Sequence, residues 1–115
     1  MNIHHIGILV ENIEASMSFY LNFGFEEMSK FRFKGEQIVL MSNGGAILEL
    51  ILETKCKNHH HFCLEVESID HWLTHLAKVN IAPIEGPYAL NNGWNIVFFQ
   101  GLDGEVIELL EKRKL

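Results

Sequence analysis

Four residues carry most of the chemistry this sequence offers: His5, Glu49, His61 and Glu108. Each histidine opens an apolar stretch, "HIGILV" (5–10) and "HFCLEV" (61–66), and each glutamate sits inside one, "AILELIL" (46–52) and "EVIELLE" (105–111). The separations are alike, 44 residues from His5 to Glu49 and 47 from His61 to Glu108. A carboxylate among apolar neighbours is costly to bury alone, or it neutralises itself. Two such carboxylates and two imidazoles make better sense around one cation. Their mixed nitrogen and oxygen set suits one divalent transition metal, Ni, Co, Zn, Fe or Mn, and is poor for Ca or a thiolate-preferring ion. Water in the remaining positions would leave such a site open, as catalysis needs.

What must position these four is a duplicated chain. "HIGILVENIEASMSFYLNFGF" (5–25) matches "HFCLEVESIDHWLTHLAKVNI" (61–81): His5 with His61, Val10 with Val66, Glu11 with Glu67, Asn12 with Ser68, and Ile13 with Ile69. Looking for repeats before elements is productive here. In the first half, residues 3–10 alternate as a strand, with His5, Gly7 and Leu9 opposite Ile6, Ile8 and Val10. A helix follows behind Asn12, turning Ile13, Met17, Tyr20 and Leu21 inward and stopping at Gly24. Three strands follow, divided by turn signals at Lys34-Gly35 and Asn43-Gly44-Gly45.

The second half repeats the order. A strand at 60–66 leads to a helix near 69–80 behind Ser68, with Ile69, Trp72, Leu73, Leu76 and Val79 inward. Strands follow near 82–88, 94–100 and 105–111. The fold class is therefore α+β, two βαβββ modules at 1–53 and 59–115 joined by a connector at 54–58 within a single domain. Strand parity sets Glu49 opposite Leu48 and Leu50, and Glu108 opposite Ile107 and Leu109. All four polar side chains then point away from the helix-covered faces.

The other histidines have blander readings. His59 and His60 read as connector and strand-opening residues, and parity sets His4 opposite His5. His71 and His75, four apart on the second helix, could clamp a metal, but nothing offers a third ligand, so they read as a solvated face. Cys56 and Cys63 lie seven apart, a spacing that fits no zinc knuckle or redox pair. Both read as free thiols in a reducing compartment, with Cys63 pointing the same way as His61. Trp94, Ile96 and Phe98 share a strand face that reads first as core.

Composition bounds the function. The 115 residues have a net charge of −6 and 48% apolar content, which fits one globular domain and argues against nucleic acid as a partner. The one concentrated basic stretch, "KFRFK" (30–34), alternates Lys30, Arg32 and Lys34 against Phe31 and Phe33. It reads first as a solvated face, then as a patch steering an anionic ligand. No run is long enough to span a bilayer, and the N-terminus lacks the pattern of a secretory signal, so a cytoplasmic location is expected and no membrane partner.

The paired modules, with "HIGILVENIEASMSFY", "HFCLEV" and "LDGEVIELLE", resemble the vicinal oxygen chelate superfamily, the glyoxalase/bleomycin-resistance/dioxygenase group. The resemblance covers essentially the whole chain and implies a curved, eight-stranded mixed sheet around a concave ligand cavity. It carries the metal positions over individually to His5, Glu49, His61 and Glu108. This quartet looks like that of bacterial glyoxalase I, which turns the hemithioacetal of a 2-oxoaldehyde and a thiol into a 2-hydroxyacyl thioester through an enediolate. A divalent metal would stabilise that intermediate's charge, with Glu108 as base and Glu49 as its symmetry-related counterpart. The alternatives within the family are an antibiotic- or toxin-binding module and a metal-dependent epimerase. Small molecules are the expected substrates, and a homodimer the expected assembly.

Overall fold

The computed structural model of the chain describes residues 2–54 and 60–112. Cys56, His59 and most of the expected connector lie outside the described residues. The chain divides into two compact units, Met1–Asn58 with Leu102–Glu105, and His59–Gly101 with Val106–Leu115. Each holds one four-stranded mixed sheet and one helix, so the expected βαβββ order is present twice.

In the first unit the order is β1 (Ile6–Val10), α1 (Ile13–Leu21), β2 (Glu26–Phe33), β3 (Glu36–Ser42) and β4 (Ile47–Leu52). The sheet runs β1-β4-β3-β2, with β1 parallel to β4 and the other pairs antiparallel. A parallel pair needs a long crossover, which α1, β2 and β3 supply. The helix starts where Asn12 caps it, its side chain accepting from the Ala15 N–H at 3.0 Å. Its buried residues are Ile13, Ser16 and Tyr20. They meet a core made by the inward parity of the strands, including Ile8 and Val10 of β1 and Leu48 and Leu50 of β4. Met17 is only half-buried and Leu21 is 55% exposed, a correction to the inward set expected for this helix. Ser16 takes the inward position instead, because the buried stripe steps by three and then four residues from Ile13.

Phe33 pairs with Glu36 across a two-residue turn in which Lys34 and Gly35 both have positive φ, 50° and 80°. That is the backbone a tight hairpin requires. Lys34 therefore leaves the strand face it was expected to share with Lys30 and Arg32. Its ammonium lies 5.4 Å from the Phe33 ring, and Lys30 reaches Glu27 at 3.6 Å. The solvated reading of this stretch fits, since every residue from Lys30 to Lys34 is exposed.

In the second unit the order is β5 (His61–Glu65), α2 (Ile69–Ala77), β6 (Glu85–Ala89), β7 (Asn95–Gln100) and β8 (Val106–Glu111), with the sheet running β5-β8-β7-β6. Ser68 caps α2 by accepting from the His71 N–H at 3.2 Å. The helix stops at Ala77, short of the expected 80. Asn80 turns to a φ of 63° and the Ile81 N–H folds back onto the Leu76 carbonyl, which closes the helix and leaves Val79 44% exposed. β6 begins at Glu85 rather than 82, and its pairing with β7 shifts between Glu85 and Tyr88. In β7 the core face belongs to Val97 and Phe99, both fully buried, and Trp94, Ile96 and Phe98 lie half-buried on the other face. No helix among the described residues is long and apolar enough to cross a membrane.

Candidate metal centre

In each unit the sheet brings one histidine to one glutamate. His5 Nε2 lies 3.6 Å from Glu49 Oε2 in the first, and His61 Nε2 lies 3.6 Å from Glu108 Oε1 in the second. The parallel ladders set the stage for both: β1 pairs Gly7 with Glu49, and β5 pairs Cys63 with Glu108. Alternation within β5 puts His61 on the Glu108 face, whereas His5 reaches Glu49 from the residue just ahead of β1. Alternation does the rest: Leu48, Leu50, Ile107 and Leu109 are buried on the other face, as expected.

The carboxylates are well shielded, with side chains 19% exposed at Glu49 and 15% at Glu108, whereas those of His5 and His61 are 38% and 62% exposed. Among the described residues, the histidines are the only ion-pair partners of these two carboxylates. A metal ion holds nitrogen and carboxylate oxygen at about 2.0–2.2 Å, so two such donors on one ion stand no more than about 4.3 Å apart. Each 3.6 Å pair meets that limit. Among the described residues no group of three or more His, Cys, Asp or Glu is placed to hold a metal. Each unit therefore offers two donors that fit a borderline divalent ion.

His4 is a residue that sequence parity misplaced. β1 begins at Ile6, so alternation does not reach His4 and His5, and their rings meet edge to face. Their Nδ1 atoms lie 2.8 Å apart, one donating to the other. If His5 is to offer a bare Nε2 lone pair, its proton sits on Nδ1 and points at His4. The two rings also line an open cavity of about 550 Å³ with Ser42, Gly44 and Ala46.

Cys63 is free and exposed, on the same face as His61 as expected, and the ladder sets it directly across from Glu108. Partial burial of the thiol pushes it from an ordinary 9.0 up to about 11, aided by the charge of Glu108 and hydrogen bonding to it. On the other side of Glu108, β7 sets Phe98 directly opposite; the matching partner of Glu49 is Leu40. His71 and His75 stack with ring centres 6.4 Å apart on the exposed side of α2.

A second carboxylate was invisible to pattern reading. Glu105, expected to open the last strand, precedes β8 and is 1% exposed. It accepts from the Tyr20 hydroxyl at 2.6 Å and from the Asp103 N–H at 3.0 Å. Asp103 in turn accepts from the Glu11 N–H at 3.1 Å and the Ser16 hydroxyl at 3.5 Å. Burial, then the Glu105 charge, pushes the Tyr20 phenol well above its ordinary range. Both carboxylate oxygens are engaged, so this cluster holds the fold together.

The family model described as Glyoxalase/Bleomycin resistance protein/Dioxygenase superfamily matches residues 2–109. Among curated proteins, none matches by sequence. A glyoxalase family protein from Enterococcus faecalis superposes with a TM-score of 0.83 at 24% identity, covering 96% of this chain and 97% of its own. A bleomycin-binding protein complexed with bleomycin gives 0.76 at 18% identity, covering 98% and 100%. A lactoylglutathione lyase from Agrobacterium tumefaciens gives 0.76 at 21% identity, covering 96% and 92%. At these identities the structures speak for the fold alone.

Proposed function

Because the chain belongs to the Glyoxalase/Bleomycin resistance protein/Dioxygenase superfamily, we propose that its repeated His–Glu pairs make it a metal-dependent lyase of the glyoxalase I kind. The substrate would be the hemithioacetal of a 2-oxoaldehyde and a thiol, and the product a 2-hydroxyacyl thioester. The observation that carries the reading is the same 3.6 Å pair in both units, each formed by a shielded carboxylate and an accessible imidazole. His5, Glu49, His61 and Glu108 would together hold one divalent transition metal, with the two modules taken from one chain or from two copies in a homodimer.

When bound, the metal supplies Lewis-acid stabilisation of the negative charge that develops on the substrate oxygens. The two imidazoles hold position. A carboxylate oxygen of Glu49 or Glu108 takes the proton from one substrate carbon and returns it to the neighbouring carbon. Shielding of these carboxylates keeps water from competing for the proton.

The test is metal content together with turnover. The purified chain should carry a transition metal that is lost in Glu108→Gln and His61→Ala. With nickel or cobalt restored, it should form a hydroxyacyl thioester from methylglyoxal and at least one of several thiols. A chain that takes up no metal yet binds a bleomycin-type drug tightly would overturn the lyase and support the sequestering reading, which the bleomycin-binding neighbour keeps in view.

A further inference from the structure

The two His–Glu pairs are not equivalent. The duplication matches His5-Ile6-Gly7 with His61-Phe62-Cys63, and the ladders set Gly7 opposite Glu49 and Cys63 opposite Glu108. One carboxylate faces a thiol donor and the other faces a glycine. Nothing in the backbone or the packing demands that glycine. Gly7 has no positive φ, and a Cβ built on it would stand 3.7 Å from Glu49 Oε1 and from Ile51 Cδ1, ordinary contact distances.

The missing side chain therefore leaves Glu49 without a donor across the ladder, and its ion-pair partner among the described residues is His5 alone. The terminal torsion of a glutamate is broad, so an untethered carboxylate turns easily. A carboxylate held by a second donor does not, and metal ligands are characteristically held this way.

We infer that Cys63 is a positioning residue that fixes Glu108 as the steady carboxylate of the site, and that Glu49, opposite Gly7, is the carboxylate free to turn and carry the proton. This rests on the metal-lyase reading and decides between two glutamates that the sequence leaves symmetric, reversing the expectation of Glu108 as base.

Two kinds of readout test it. In metal-free protein carrying Cys56→Ser, the infrared S–H stretch of Cys63 should move to higher wavenumber in Glu108→Gln and stay put in Glu49→Gln. In metal titrations, Cys63→Ala and Glu108→Gln should each weaken nickel or cobalt binding by about tenfold or more, with Cys63→Ser recovering most of the loss. At saturating metal, Glu49→Gln should lower kcat by about 100-fold or more while weakening the metal less than Glu108→Gln does. Gly7→Ser, which gives Glu49 a donor, should lower kcat with little change in metal affinity. Equal losses of kcat and affinity in the two glutamate variants, or an S–H stretch indifferent to Glu108, would overturn the inference and leave the lyase standing. A wild-type chain with no metal and no turnover would instead remove the lyase, and with it the proton-carrying role of Glu49.

Discussion

The phenol of Tyr20 on α1 donates a 2.6 Å hydrogen bond to the carboxylate of Glu105, and both side chains are 1% exposed. Glu105 sits in the Leu102–Glu105 segment, which packs as part of the first unit although it follows β7 in the chain. Removing the phenol hydroxyl leaves Glu105 Oε2 buried without its donor. Leaving a buried charged acceptor unsatisfied costs about 1–3 kcal/mol or more. Tyr20→Phe should therefore lower the free energy of unfolding, read from urea titration, by an amount in that range, with metal binding unchanged. A variant as stable as the wild type would show that water reaches the carboxylate.

Cys63 gives a pH signature in metal-free protein. Its thiol is raised from 9.0 to about 11 by burial first and Glu108 second, so the folded chain holds the proton where the unfolded chain loses it. The associated stability is complete below pH 9.0 and disappears as the pH climbs through about 11. The thiolate is the reactive form, so alkylation of Cys63 in a Cys56→Ser background should be slow at pH 8 and keep rising beyond the ordinary thiol range. Glu108→Gln should bring the rise to lower pH. An ordinary thiol profile in the wild type would mean that Glu108 does not face Cys63 in solution.

His4 should matter without being a ligand. Its Nδ1 stands 2.8 Å from His5 Nδ1 and so selects which nitrogen of His5 carries the proton. Outer partners of this kind typically alter metal affinity about 10–100-fold when removed. His4→Phe should weaken binding of nickel or cobalt toward that range and leave the unfolding midpoint of the metal-free chain where it was. His71→Ala on α2, the bland histidine, should change neither.

The sequence carried what is periodic and repeated. Parity alone set Glu49 against Leu48 and Leu50, because both faces of β4 follow a strict alternation, and the duplication placed the same logic on Glu108. Asn12 and Ser68 were legible as caps because a short oxygen-bearing side chain before an apolar helix has one good use. The misses have local causes. His4 lies before the strand begins, so alternation says nothing of it. Val79 follows a helix that Asn80 closes early; an Asn tolerates the positive φ that ends a helix, but the apolar spacing running on through Val79 masked that signal. Glu105 is buried by partners on α1 and in its own loop, 85 residues and 2 residues away, and only folding reveals the first. The proposed convergence of both pairs on one ion concerns two modules at once, which no pattern within either can supply.

That convergence has a direct test in mixed dimers. If one ion is shared between the first module of one copy and the second module of its partner, each of two sites in the dimer takes His5 and Glu49 from one copy and His61 and Glu108 from the other. Homodimers of His5→Ala or of His61→Ala then have no intact site. A mixed dimer of the two variants concentrates both lesions in one site and leaves the other whole. Co-purified mixed dimers, selected by two different tags, should regain about half of the wild-type metal content and turnover, one site of two, as closed twofold assembly requires. If each ion is held within a single chain, both chains of the mixed dimer stay damaged and mixing restores nothing. Recovery near one half assigns the site to two copies of the chain, no recovery assigns it to one, and full metal retention in either parent variant would show that the histidines are not ligands at all.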